Sequence, residues 1–336
     1  MRLPYLLHPE ISRDVMTYSD PDVRPAARLL NPHFDQRRFI WKDAYSAEYQ
    51  PARYSDQFDD QWRYFLENRT GFHNHTGVET ADSYIDDRIF ELTGVAEYFS
   101  KKRFGPLYGV VSWWRRRAPA EGRRDIGGRL YLEPKFAIDH FRGKRCLDLG
   151  CGPGRWTRTL LALGASVKST DVSRHALLST SRFNRDVEEL DLFDILPNRP
   201  DLHAAFDFTL CWGVLMCTHD PRVAFANAAK TVKPGGELYV MVYAPTYHNS
   251  EFVVSNRQFY HQHLNTPEQK LDYAYKISDS PENAINLLDM LNTFYNWTVE
   301  EETIHRWFSD FGFAETITLN RNEPNNCAYH VLGRKR

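Results

Sequence analysis

The sequence predicts an α/β fold, a parallel sheet flanked by helices, and three observations carry that expectation. The first is residues 145–171, where a short apolar run around Cys146 and Leu147 ends in glycines at 150, 152 and 154. A helical pattern follows (Trp156, Leu160, Leu161, Leu163), stopped by Gly164, and a second strand from Ser166 to Thr170 runs into Asp171. Strand, glycine turn, helix, strand, acid is the order of a nucleoside-binding α/β unit. The second observation is that strand and helix patterns keep alternating after residue 171, which favours parallel pairing. The third is a 42% hydrophobic fraction over 336 residues, enough to pack a core and exclude wholesale disorder.

The glycines and the acid indicate what such a unit holds. A residue without a Cβ lets backbone approach a ligand closely. Asp171 lies 21 residues after Gly150, where a ribose diol can donate to a carboxylate. A dinucleotide fingerprint, G-x-G-x-x-G, is not met: the run is G-x-G-x-G, with Arg155 where the third glycine would fall. A pyrophosphate needs a helix N-terminus clear of bulky side chains. Asp148 before the first glycine and the pair Arg155–Trp156 after the last suit a smaller ligand with an amino-acid tail.

On these residues the sequence resembles the S-adenosylmethionine-dependent methyltransferases of the Rossmann-like class. The resemblance rests on Asp148-Leu149-Gly150-Cys151-Gly152-Pro153-Gly154, then Asp171, then Lys233-Pro234-Gly235-Gly236, in order and at matching spacings. It covers about residues 130–336 and reaches back weakly to residue 55. It implies a Rossmann-like, seven-stranded, mostly parallel sheet with an antiparallel last strand. Around that sheet the chain divides into an N-terminal arm and helical extension (1–128) and a methyltransferase domain (129–336) with a helical lid insertion at 244–297.

Composition narrows the function classes. The formal charge of −2 argues against broad nucleic-acid binding. Cys146, Cys151, Cys211, Cys217 and Cys327 include no CxxC pair, so a structural zinc site and a disulfide scaffold are not expected, and reduced thiols in a cytoplasmic protein are. The N-terminal residues lack a long apolar run, so no signal peptide is indicated. No stretch approaches 18 uninterrupted apolar residues, so no membrane span is expected. Aromatics at 14% suit pockets that grip ligands by stacking.

Along the chain, prolines at 4, 9, 21, 25 and 32 break any long helix in residues 1–50, which read as an arm over the body. Tyr54, Phe58, Trp62, Phe65 and Leu66 form one apolar helical face, and Trp62 reads first as a core anchor. A second helix is expected over Ala81 to Leu92 with Gly94 as its stop. His73 and His75 resemble a metal pair only superficially, because nothing nearby completes a set, and no metal is expected. Residues 101–129 carry nine Lys or Arg against Glu121 and Asp125, a local balance of +7 that leaves about −9 for the rest. That stretch suits a solvated basic loop, a phosphate-bearing acceptor or, less favoured, nucleic acid.

Tyr131 to His140 is expected as a helix. Ser173 caps a helix running to about Asn184, and Val187 to Leu192 makes the third strand. The resemblance implies an acid at that strand's end reading the adenine amino group, and Asp191 with Leu192 is favoured over Asp194. Phe206 to Cys211 is the fourth strand, and Lys233-Pro234-Gly235-Gly236 turns into the fifth, Glu237 to Tyr243. The insertion at 244–297 has helix starts at Thr266-Pro267-Glu268-Gln269 and Ser280-Pro281-Glu282. It reads as an acceptor lid, with a dimer contact as the alternative. Thr298 to Glu301 reads as a further capping box, before strands at Ala314 to Leu319 and Cys327 to Leu332.

The resemblance implies methyl transfer to a small molecule, a hydroxyl or amine of a sugar, nucleotide-sugar or secondary metabolite. In its cofactor pocket Gly150, Gly152 and Gly154 face the methionine end, Asp171 the ribose, and Asp191 with Leu192 the adenine. Cys211 offers its carbonyl to the cofactor's amine, and Asp148 organises the loop. A hydroxyl acceptor needs a base within hydrogen-bond reach; His219 is the first candidate, followed by His248 and Tyr243. Related enzymes often carry two histidines after the fourth strand, where this chain has Met216 and Cys217. An RNA-modifying enzyme and a non-methylating protein that keeps the fold are the alternatives.

Overall fold

The structure is a computed structural model. It describes residues 16–18, 34–35, 40–41, 58–59, 61–63, 82–107, 136–218, 220–244, 256, 259–260, 263–278, 284, 287–288, 291–293, 297–320 and 328–336. In chain order the elements are β1 (Met16–Tyr18), β2 (Phe34–Asp35), β3 (Ile40–Trp41), α1 (Asp82–Thr93), α2 (Tyr98–Phe104), β4 (Arg145–Leu149), α3 (Arg155–Ala162) and β5 (Ser166–Asp171). There follow α4 (Arg174–Thr180), β6 (Val187–Glu189), β7 (Phe206–Trp212), α5 (Pro221–Thr231), β8 (Val232–Tyr243), α6 (Pro267–Ile277), β9 (Trp297–Val299), α7 (Glu301–Asp310), β10 (Phe313–Thr318) and β11 (Ala328–Lys335).

Seven strands form the main sheet in the order β10-β11-β8-β7-β4-β5-β6. β4, β5, β6, β7 and β8 pair in parallel, and β11 inserts antiparallel against both β8 and β10. The expected mostly parallel sheet with an antiparallel last strand is therefore present. Progression runs outward from β4 to β6 on one side and from β7 on the other, so the order reverses between β4 and β7. Such a switch point opens a crevice at the carboxyl ends of the strands.

Both sheet faces are covered. One carries α5 and α7, with Phe225, Trp307 and Phe308 packed with Trp297 over Leu147, Val240 and Val242. The other carries α1 and α3, where Ile85, Ile89 and Leu92 meet Trp156 and Leu160 above Phe208, Leu210 and Tyr239. The periodicity read at 81–92 is this buried stripe of α1. Gly94 ends the helix with φ 70° and donates its N–H to the Phe90 carbonyl.

The local chemistry read from the sequence holds at several ends. Ser173 accepts the Ala176 N–H and caps α4, although the helix stops at Thr180 rather than near Asn184. Thr266 and Gln269 form the reciprocal capping box at the start of α6. Lys233 to Gly236 leave the ladder: Phe206 pairs Val232 and Phe208 pairs Glu237, so four residues bulge opposite one.

Three expectations are corrected. Of the helix expected over Tyr131 to His140, residues 131–135 lie outside the described residues, and 136–140 run into successive tight turns that continue to 143; His140, Arg142 and Lys144 each donate to the carbonyl three residues back. These turns bring Phe136 and Phe141 together around Phe208, with ring centroids 5.7 and 5.0 Å from it, immediately before β4. The third strand ends at Glu189, because Asp191 turns its carboxylate back to the Phe193 N–H and starts a helical turn. Thr298 is no cap. It lies in β9, paired in parallel with Thr17 of β1, and α7 begins only after Glu300. Trp297 and Val299 are fully buried, and Trp297 donates its indole N–H to the Thr218 carbonyl at 2.7 Å; burying both residues favours the strand. The β1–β9 pairing lays part of the N-terminal arm on the body.

The described residues of the insertion have a small core of their own, Tyr260, Tyr273, Ala274, Leu287, Leu288 and Leu291, with Trp62 packed against it. Asn292 links the two segments: it accepts from Tyr260 Oη at 2.8 Å and donates to Gln61 Oε1 at 3.2 Å. Among the described residues, no helix is long and apolar enough to cross a membrane.

Candidate active site

A cleft of about 370 Å³ opens where the strand order reverses. Its floor is the loop after β4, residues 149–153. Over β5 and β6 its wall is Asp171, Val172, Leu190, Asp191 and Leu192. Over β7, β8 and β11 it is Trp212, Gly213, Val214, Cys217, Met241, Tyr243, Ala328 and His330. Phe58, Gln61, Trp62 and Thr293 close it from the N-terminal segment and the insertion.

The loop after β4 is built from tight contacts. Gly152 has φ 53°, and a Cβ there would stand 3.1 Å from Cζ2 of Trp62. Gly154 adopts the left-handed conformation as the N-cap of α3. Asp148 lies beneath, accepting from Thr157 Oγ1 at 2.6 Å; that hydroxyl also meets Ser169 Oγ at 2.7 Å, which accepts from Asn184 Nδ2 at 2.9 Å. This buried network ties β4, α3 and β5 together behind the loop. Burial raises the Asp148 carboxyl to about 6 against the hydrogen bonds from Thr157.

Asp171, at the tip of β5, is held from two sides. Its Oδ2 accepts the Gly152 N–H and its Oδ1 the Ser173 N–H, both at 2.8 Å. Burial nonetheless dominates and raises its carboxyl to about 6. The carboxylate thus fixes the glycine loop while facing the cleft. Beside it, Asp59 of the N-terminal segment accepts from Ser173 Oγ at 2.9 Å, from the His175 N–H at 2.9 Å, and meets His175 Nδ1 at 2.7 Å. Burial pushes its carboxyl up, but these bonds outweigh that and hold it below the ordinary value. Asp59 therefore pins its segment, with Phe58 and Trp62, over the cleft.

The cleft brings together Gly150, Gly152, Asp171, Asp191, Leu192 and Tyr243 of the expected site residues. Asp194 is exposed and accepts from Asn198 instead. Asp148, Gly154 and Cys211 stand behind the wall. Cys211 is fully buried and its thiol is pushed up by that burial, while Trp212 and Gly213, the next residues, reach the cleft. His219 and His248 lie outside the described residues, as do His73, His75 and residues 108–129 of the basic stretch. Of that stretch the described cations are Lys101, Lys102 and Arg103, exposed in the last turn of α2.

Several wall contacts were not readable from the sequence. Arg155 stacks over the Trp212 ring at 4.2 Å, and Trp212 lies 5.6 Å from Trp156. His330 stands edge-on to Trp212, with ring centroids 6.0 Å apart. Trp62, read as a core anchor, both packs on the insertion and lines the cleft. A signal for His330 existed: in the strand run it shares a face with Ala328 and Leu332, so a polar residue stands on an inward face.

These residues fit an adenosine carrying an amino-acid tail. The close-packed glycine loop leaves a backbone cradle, and a carboxylate fixed by main-chain donors faces the cleft. The rings of Trp156 and Trp212 line the wall beside the loop, while their indole N–H groups are buried without a hydrogen-bond partner. Among the described residues, no group of three or more His, Cys, Asp or Glu is placed to hold a metal ion.

A methyltransferase-domain family model matches residues 123–316. The chain is similar to ubiquinone biosynthesis O-methyltransferases of Burkholderia vietnamiensis, 31% identical over 175 residues covering 50% of this chain and 72% of the relative. The similarity extends to that of Paraburkholderia phymatum, 30% identical over 174 residues with 50% and 72% covered. Among solved structures it is similar to a magnesium protoporphyrin IX methyltransferase from Synechocystis with bound S-adenosylhomocysteine, at 13% identity and TM-score 0.41, covering 85% of this chain and all of that one. With the family model spanning more than half of its length, the chain belongs to the methyltransferase-domain family and is an S-adenosylmethionine-dependent methyltransferase.

Proposed function

We propose that the protein methylates a hydroxyl group on an apolar, aromatic small molecule, with the cofactor over β4–β6 and the acceptor over β7, β8 and β11. The observation that carries this reading is the distribution of charge in the cleft. The carboxylates Asp171 and Asp191 line the β5–β6 side, and Arg155 stacks at the boundary on Trp212. The other side presents Met241, Tyr243, Ala328, His330 and the cap residues Phe58 and Trp62, with no Lys, Arg, Asp or Glu among its described lining. A neutral wall of aromatics suits a flat apolar acceptor better than a phosphate or a polyanion. The relatives named as O-methyltransferases of ubiquinone biosynthesis support a hydroxyl over an amine.

In this reading Gly150 and Gly152 cradle the methionine end, Asp171 accepts from the ribose and Asp191 with Leu192 borders the adenine. The backbone at Trp212–Gly213, just past Cys211, receives the amine. Asp148 and Gly154 shape the loop from behind. S-adenosylmethionine, when bound, supplies a methyl group on a positively charged sulfur that departs readily. The protein's task is alignment, which removes orientational freedom from the barrier. Phe58, Trp62 and Thr293 exclude water. Tyr243, His219 and His248 remain candidates for holding the hydroxyl.

A pH dependence follows from Asp171. Its carboxyl is raised to about 6 in the free protein, and hydroxyl donors and a cationic ligand favour the ionised form. Binding of S-adenosylmethionine is therefore expected to be constant above about pH 7, to weaken as pH falls through 6, and to release a proton there. Calorimetric titrations across pH 5 to 8, in buffers of different ionisation enthalpy, check the slope and the proton count.

The function itself is tested by incubating the protein with methyl-labelled S-adenosylmethionine and three acceptors: 4-tert-butylcatechol, an aromatic amine of similar size, and transfer RNA. Labelled catechol is the expected product; label in the amine or RNA alone contradicts the hydroxyl reading.

A further inference from the structure

We propose that His330 takes the proton from the acceptor hydroxyl, with its ring held by Tyr239. This rests on the hydroxyl reading above and names the group that would carry it out. His330 sits in β11 opposite Met241 of β8. It is 8% exposed and lines the acceptor side of the cleft.

Contacts on several sides fix the residue. Nδ1 lies 2.9 Å from Oη of Tyr239, which is fully buried. The backbone N–H donates to Asn320 Oδ1 at 2.9 Å, and Asn320 Nδ2 donates to the Ala328 carbonyl at 2.7 Å, anchoring the start of the strand. The Trp212 indole stands against the ring at an interplanar angle of 89°. Because a phenol oxygen has lone pairs as well as a proton, it can accept Nδ1–H. In that tautomer Nε2 carries the ring's lone pair, and a partner on one nitrogen is what selects the role of the other. The same bond supports the imidazolium formed when Nε2 is protonated.

In the step, the hydroxyl proton passes to Nε2 of His330. The oxygen electron pair forms the bond to the methyl carbon, and the carbon–sulfur bond breaks with its electrons remaining on sulfur. The imidazolium, Nδ1–H still on Tyr239, then gives its proton to water. Among the described residues, the titratable or charged groups on His330's side of the cleft include Tyr239, which it touches, Tyr243 of β8, Cys217 beyond β7 and Arg155 of α3 stacked on Trp212. Leu319 and Asn320, which bond it from the β10 side, do not titrate.

The test uses the full chain, S-adenosylmethionine and 4-tert-butylcatechol. H330Q is expected to lower kcat by about a hundredfold or more, to leave the KM for S-adenosylmethionine within about threefold, and to remove the acidic limb of the kcat–pH profile. Tyr239→Phe keeps the ring volume; it is expected to lower kcat by about tenfold and move the acidic limb to lower pH, because the imidazolium loses its acceptor. With isotopically labelled histidine and bound S-adenosylhomocysteine, adding the catechol is expected to shift the Nε2 resonance of His330. An H330Q protein with unchanged kcat and acidic limb overturns the assignment. So does a Tyr239→Phe profile that superimposes on the parent, or an Nε2 resonance indifferent to the catechol; these two decide the matter if H330Q does not fold. A parent protein that methylates no hydroxyl removes the hydroxyl reading and His330 with it. A parent that methylates the catechol while H330Q does so equally removes His330 alone.

Discussion

Replacing Asp171 with alanine is expected to weaken binding of S-adenosylmethionine by about a hundredfold to a thousandfold. Two losses combine. The ribose loses a charged acceptor, and a hydrogen bond to a charged group is worth about 1.5–3 kcal/mol; two such bonds correspond to about two to four decades in affinity. The glycine loop also loses its anchor, because the Gly152 N–H donates to Asp171 Oδ2 at 2.8 Å. Calorimetric titration of the variant beside the unaltered protein, with NADH as a control ligand for each, reads the effect. Equal affinity of the two proteins for S-adenosylmethionine would move the nucleoside away from β5.

The second large effect is expected at Gly150. Its φ is 72°, and a Cβ there would lie 2.4 Å from Cγ2 of Val214. Gly150→Ala therefore combines left-handed strain of about 1–2 kcal/mol with an overlap costing about 1–3 kcal/mol. Val214 itself lines the cleft, so its retreat narrows the space above the loop. The expected result is a loss of stability of roughly 2–5 kcal/mol, measured by urea denaturation, together with at least about tenfold weaker cofactor binding. A variant as stable as the parent, with the parent's affinity, would show that the loop and Val214 move apart freely.

What the sequence revealed and what it hid follow from the range of the interactions involved. That the glycine loop, Asp171, Asp191 and Leu192 come to one place was legible because strand, turn, helix and acid are local in sequence. The caps at Ser173 and Thr266 were legible for the same reason. Thr298 was misread because its local pattern allows a cap, while the burial of Trp297 and Val299 and the pairing with β1, some 280 residues earlier, place it in a strand. Of the helix expected over Tyr131 to His140, the described residues 136–140 were misread, because packing Phe136 and the following Phe141 on Phe208 favours tight turns. The cleft wall over β7, β8 and β11 was hidden almost entirely. Trp212, Tyr243, Ala328 and His330 meet only because β11 inserts antiparallel beside β8, and the Asp59 anchor joins residues 116 positions apart.

The charge distribution that supports an apolar hydroxyl acceptor also makes the division of the cleft open to direct observation. The most direct measurement is a crystal structure of the protein with S-adenosylhomocysteine and 4-tert-butylcatechol. The expected result places the ribose on Asp171, the adenine beside Leu192, and the catechol between Trp62, Tyr243 and His330, with one hydroxyl within hydrogen-bond reach of Nε2. A nucleoside bound on the β8–β11 side, or a catechol found only outside this cleft, would contradict the account.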